Sequence, residues 1–178
     1  MTRNLQIAEE VGMVDKLILF TYESWANLDS SVSGLTLEEA TECHGGGSSI
    51  AWTVGHITHQ VDAWVNMRFQ GLPPHPFISK QNFRTGGNGE EEDWPMVQAA
   101  VMEVRKIARQ LLDSEPDLDR VIPYDGSIPF LRSIGLPLRY ALMRTIAHHY
   151  IHIGEITTIR SRLGHMIDAG PDWGRALA

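Results

Sequence analysis

Apolar side chains return every three or four positions in four separate stretches of this 178-residue chain, a period that suits α-helix and not strand. In 5–32 the repeat runs through Val14, Leu17, Ile18, Thr21, Trp25 and Leu28, and Gly34 follows as a stop. In 49–70 it runs through Ile50, Val54, Ile57, Val61, Trp64 and Val65. Ser48 and Ser49 are its N-cap candidates, and Gly71 with Pro73 and Pro74 ends it. The stretch 94–112 carries Val97, Val101, Val104, Ala108, Leu111 and Leu112, with Pro95 in the first turn, where a missing N–H costs little. The last, 138–163, stops at Gly164. A helix with one apolar face must bury it, and four such helices bury theirs best against one another. The expectation is an all-α four-helix bundle, with residues 1–178 as one domain.

The connections read differently. Residues 72–92 are polar, with Pro, Gly and the start of an acidic run, Glu90 to Asp93. The stretch is long enough for a connection to be functional or mobile. Its piece Gly86-Gly87-Asn88-Gly89 lacks the following Lys-Ser or Lys-Thr and the preceding strand of a phosphate cradle, so that piece is expected to be plain loop. Two β-prone pieces, 120–124 and 127–131, flank Asp125-Gly126, a favoured hairpin turn. A small hairpin before the last helix is therefore expected, although Pro123 and Pro129 cannot donate to a ladder.

Composition narrows the partners. The net charge is −7, and Lys and Arg form no cluster, which argues against nucleic acid and anionic membranes as partners. No run approaches the roughly 18 apolar residues of a membrane span. The opening MTRNLQIAEEVGMVDK has acids where a signal peptide is apolar. Cys43 is the single cysteine, so no internal disulfide forms, and no basic or metal partner marks it as reactive. A cytoplasmic protein acting on a small-molecule substrate is expected.

Eight histidines are present, and their placement matters more than their number. His148 and His152 are four apart in a strongly helical stretch, so they share a face and can reach one metal ion. By itself the pair also suits two packing histidines, each bonded to a neighbour. His56 sits among Val54, Ile57 and Val61, where a buried ring needs partners, and a shared metal would supply one. His59, three residues on, is the rival third ligand. Three neutral imidazoles suit Zn, Ni, Fe or Co and leave coordination positions open. His149 points about 100° away from His148 and is set aside. His44, His75 and His165 fall in loops as surface residues. Arg144, one turn before His148, could meet a substrate carboxylate or thiolate, or a nearby acid. Asp62 and Arg68 are expected to pair on the bundle surface, Trp52 and Trp64 to pack, and Tyr124 to line a pocket.

The segment Ser49-Ile50-Ala51-Trp52-Thr53-Val54-Gly55-His56-Ile57, and the later His148-His149-Tyr150-Ile151-His152-Ile153-Gly154-Glu155-Ile156, together resemble the DinB-like (YfiT-like) family. That family carries a Trp-x-x-x-His helix and, about ninety residues on, a His-x-x-x-His-x-Gly-Gln-Ile helix, as the spacing here does. The resemblance extends from the first helix to Leu163. It implies a four-helix bundle with a divalent metal ion held near one end by His56, His148 and His152. Relatives include S-transferases that use low-molecular-weight thiols and a mycothiol-dependent maleylpyruvate isomerase, and homodimers are common among them.

Glu155 stands where the family often has Gln. It shares the face of His148 and His152, and could orient a ligand, accept a proton, become a fourth ligand, or lie in solvent near the bundle's end. The resemblance thus implies a metal-dependent thiol S-transferase, with Zn, Ni or a similar ion and a low-molecular-weight thiol; Glu155 and Arg144, from their places on the histidine face, are the catalytic candidates. Metal-dependent hydrolysis, or a non-catalytic metal-binding or stress-related role, are the alternatives.

Overall fold

Asp15 opens the first helix: its carboxylate accepts the Leu17 N–H at 2.8 Å, satisfying one of the amides that a helix start leaves free. The computed structural model describes residues 14–165, so positions 5–13 of the expected first helix lie outside the described residues. Helix α1 (Lys16–Val32) buries Ile18, Thr21, Trp25 and Leu28 of the stripe expected for it, with Ser24 beside them, while Val14 and Leu17 are half-buried. A short α2 (Leu37–Thr41) follows behind a Thr36–Glu39 capping box. The Thr-x-x-Glu pattern announces this helix in the sequence, where the apolar period is too short to show it.

Helix α3 (Ile50–Val61) is capped by Ser49, whose hydroxyl accepts from the Trp52 amide at 3.1 Å. It runs on without a break through a π-helical stretch, Asp62–Met67, and a last α-turn, Arg68–Gln70. A 3-10 turn, Gln81–Phe83, lies in the long connection that leads to α4 (Trp94–Leu112). Strand β1 (Val121–Ile122), α5 (Pro129–Ile134) and β2 (Leu136–Pro137) then precede α6 (Leu138–Arg162).

The hairpin before the last helix is present, but its second strand is not the one expected. Val121 pairs with Pro137 and Ile122 with Leu136, antiparallel. Residues 129–134 are helical instead: Pro129 sits in the first turn, a place that suits its fixed φ and lost donor. Gly135 makes the pairing possible. A Cβ there would lie 2.4 Å from the Val121 side chain and 2.9 Å from the Ile122 carbonyl oxygen.

Helix α1 packs on α6, and α3 packs on both α4 and α6, giving the four-helix bundle. One core cluster gathers Trp25, Val65, Leu112, Leu138 and Leu142; another gathers Leu28, Ile50, Ile57, Val97 and Ile156. The second cluster also takes in Phe77, Ile78 and Phe83. Three side chains of the 72–92 connection are thus core, while Gly86-Gly87-Asn88-Gly89 is irregular, as expected. Among the described residues no helix is long and apolar enough to cross a membrane.

Candidate metal centre

The apolar stripe of α3 turns His56 inward, where it is 5% exposed and flanked by Val54 and Ile57. Two neighbours fix its ring. Trp52, one turn earlier, stacks on it at 4.9 Å between ring centres and 7° between planes. Phe83 accepts the His56 Nδ1–H on its carbonyl oxygen at 2.7 Å. A carbonyl only accepts, so the proton is on Nδ1 and the Nε2 lone pair is free. Trp52 is held in turn by its indole N–H, which donates to the Asn82 carbonyl at 2.8 Å. The 3-10 turn that brings both carbonyls lies hard against α3 at Gly55, where a Cβ would be 2.2 Å from the Phe83 ring. Only glycine admits that approach.

Helix α6 supplies the other two rings. The His152 Nδ1–H donates to the Glu155 carboxylate at 2.6 Å, which again leaves Nε2 bare. That Nε2 faces His148 Nε2 at 3.2 Å. The buried Nδ1 of His148 has no partner. Ring centres of His56 and the α6 pair lie 4.9 and 5.3 Å apart. One ligating atom from each of the three histidines falls within 4.8 Å of the others.

The donor set fits a divalent cation. Two nitrogens each about 2.1 Å from one ion at a near-tetrahedral angle are a little over 3 Å apart, the spacing of the α6 pair. Without an ion the 3.2 Å contact is a hydrogen bond, His148 Nε2–H donating to the bare His152 Nε2; a cation taking the place of that proton would be shared by both nitrogens, with the His148 proton moved to Nδ1. Burial, aided by the neighbouring His152 and His56, pushes His148 down to about 3. Burial also lowers His56, partly offset by the Phe83 carbonyl. Both rings are therefore neutral at ordinary pH, the form in which imidazole ligates.

A family model for the DinB superfamily matches residues 21–156. The chain belongs to the DinB superfamily. No curated protein matches it. The matched span includes His56, His148, His152 and Glu155, so this DinB chain carries its candidate centre inside the family region.

Other sequence candidates are placed as follows. His59 is not in the three-histidine group. Its Nδ1 is buried without a partner, and burial, with Arg84 and His56 nearby, lowers its pKa. His149 is 1% exposed and donates its Nδ1–H to the Thr145 carbonyl at 2.7 Å. His44, His75 and His165 are not bare surface groups. They bond the Glu39 carbonyl, the Glu103 carboxylate and the Glu39 carboxylate at 3.0, 3.0 and 2.7 Å.

Asp62 and Arg68 do not pair with each other. Buried Asp62 accepts the His75 amide at 2.9 Å, while Arg68 donates to the Ala63 carbonyl and lies over the Trp64 ring. Arg144 also lies over Trp64, 4.9 Å from its centre, with no carboxylate partner among the described residues. Trp52 and Trp64 are buried as expected. Cys43 is exposed and outside the group.

The residues that sequence reasoning missed are Gly55, Asn82 and Phe83. A glycine in mid-helix between two apolar turns is the one signal the sequence holds for that contact. A cavity of about 570 Å³ between α1 and α4, lined by Leu28, Val32, Val101 and Arg105 among others, includes none of the three histidines.

Proposed function

We propose that the protein is a divalent-metal-dependent enzyme of the thiol S-transferase type, acting on a small-molecule substrate in a reducing, cytoplasmic setting. One observation carries this reading: three histidines from two helices, with no fourth His, Cys, Asp or Glu in the cluster among the described residues, leave coordination positions open. A zinc or nickel ion held by His56, His148 and His152 supplies Lewis acidity that favours the anionic form of a thiol at neutral pH.

The chain's own residues do the rest. Phe83 and Trp52 hold His56 in one orientation. Glu155 holds the proton on His152 Nδ1 and so keeps Nε2 turned inward, a positioning role. Arg144, one turn from His148, offers a cation to an anionic group of the thiol or its acceptor. Hydrolysis is less well supported, because it needs a base beside the attacking oxygen. Glu155, the carboxylate bonded to the group, is engaged on the outer nitrogen of His152 instead. The same engagement keeps it from being the fourth ligand that a purely structural metal site favours. A homodimer through α6 belongs to the proposal, since Met143, Ala147 and Ile151 form an exposed stripe one and two turns apart.

Elemental analysis of the purified protein beside His148→Ala is the first test. About one equivalent of zinc, nickel or a similar metal in the parent, lost in the variant, is expected. Transfer of N-acetylcysteine to a chloronitrobenzene acceptor should then depend on that metal. No metal in the parent, even after reconstitution, defeats the reading; metal without turnover favours the non-catalytic role.

A further inference from the structure

Beyond the histidines, α3 changes its hydrogen-bonding pattern at Asp62–Met67, and π-helical stretches occur often at functional sites. This one ends beside an uncommon arrangement. The guanidinium carbons of Arg68 and Arg144 each lie 4.9 Å from the centre of the Trp64 ring. Two cations thus sit within about 10 Å of each other, one from α3 and one from α6. Tyr124 stacks on Trp64 at 6.0 Å and lies 5.7 Å from the Arg68 guanidinium. Trp64 itself is anchored by its indole N–H to Gln60 at 2.9 Å.

Like charges brought together need a reason. This chain has 22 acidic residues against 15 basic ones, so carboxylates are plentiful. Yet among the described residues none lies within 4.0 Å of either guanidinium, while Arg105 and Arg139 both have acidic partners. Arg68 uses one N–H on the Ala63 carbonyl; among the described residues no side-chain hydrogen bond holds Arg144. The aromatic faces fix the positions of both guanidiniums without neutralising them. Their remaining N–H groups are left for a ligand. Arg144 stands one helical turn before His148, and the buried, unpartnered His59 Nδ1 lies one turn before Ala63 on α3.

We infer that Arg68 and Arg144, both held against Trp64, form a seat for the carboxylate of a small-molecule substrate beside the three-histidine group. Planar guanidinium forks match a carboxylate with two parallel hydrogen bonds, which fixes the ligand's direction as well as its place. The inference rests on the metal-enzyme reading for its claim that the ligand is the substrate. The seat itself does not need the metal.

Propionate, with neutral propionamide as its isostere, is the probe. Titration followed by the Trp64 indole N–H and arginine Nε–H resonances is expected to show saturable shifts with propionate and none with propionamide. Arg144→Gln, at an exposed position, should weaken propionate at least fivefold, and Arg68→Gln together with Arg144→Gln should abolish it. His148→Ala should leave propionate binding within twofold of the parent. Equal response to both probes, or propionate binding untouched by the arginine variants, overturns the seat. Binding lost in His148→Ala but kept in Arg144→Gln means that the anion coordinates a metal: the seat falls and the metal site stands. Arginine-dependent binding in a protein that takes up no metal leaves the seat standing and removes the metal reading.

Discussion

The two helices that meet at the histidines hold them in different ways. On the α3 side, His56 is 5% exposed, stacked on Trp52 and bonded to a backbone carbonyl. On the α6 side, His148 has a nitrogen with no partner, and His152 is oriented by Glu155, whose side chain is 57% exposed. A fixed wall therefore faces an adjustable one. The fixed wall is set by folding, because its contacts are core contacts; the adjustable wall has settings left for a bound ion to complete.

The largest expected effect tests that contrast directly. His56→Ala should lose the metal and also destabilise the metal-free protein by about 2–4 kcal/mol, since it leaves a cavity and a buried carbonyl without its donor. His152→Ala should lose the metal as well, at a cost to the metal-free fold of under about 1 kcal/mol. Urea denaturation in a chelator measures both. Equal costs would erase the distinction.

Acid should reveal that α6 is loose only towards the site. Its other side buries His149, which burial holds down to about 4, against 6.5 for an ordinary imidazole. Between those values the unfolded chain binds the extra proton and the folded chain does not. Stability of the metal-free protein is therefore full above about 6.5 and falls with pH towards 4, by on the order of 3 kcal/mol from His149. Thermal unfolding across that range checks the sign, and His149→Gln should make the slope shallower, the remainder coming from His148, His56 and His59, which burial also lowers.

Two glycines give a smaller, sharper comparison. Gly55→Ala should cost about 1–3 kcal/mol and weaken metal binding, because the new methyl group displaces Phe83 and its carbonyl. Gly154→Ala, two residues after His152, meets nothing within 4 Å and should be neutral or stabilising by up to about 1 kcal/mol. Smallest of all, Glu155→Gln should leave stability unchanged and weaken zinc about tenfold, read by competition with a chromophoric chelator.

The difference between the walls also governs what the sequence could reveal. His148 and His152 are legible because a spacing of four on a long helix fixes their relation before any tertiary structure is known. His56 is legible from the apolar residues around it, and the bounds of α4 follow from its stripe and its Pro95. The Phe83 carbonyl is not, because every residue has one and its use depends on where a connection lands. Phe77, Ile78 and Phe83 are spaced through a polar stretch with no regular period, so their burial leaves no pattern. The partner of β1 is hidden for a related reason: Asp125-Gly126 is a strong local turn signal, but Gly135 makes the close approach that decides the ladder. For Arg144 the sequence offers a substrate anion or a nearby acid as partner, because it shows charge and not the aromatic ring beneath it.

The π-helical stretch of α3 turns a count of residues into a direction. Deleting one residue from Asp62–Met67 would let the segment relax into ordinary α-helix with its backbone bonds intact. The π turn holds one residue more than an α turn, so the side chains beyond the deletion, Arg68 among them, would keep their direction. The same deletion in the α-helical part, Ile50–Val61, would instead turn everything after it by roughly 100° about the axis. The stretch is thus a place where this helix can lose a codon and still present Arg68 and His56 on their present sides.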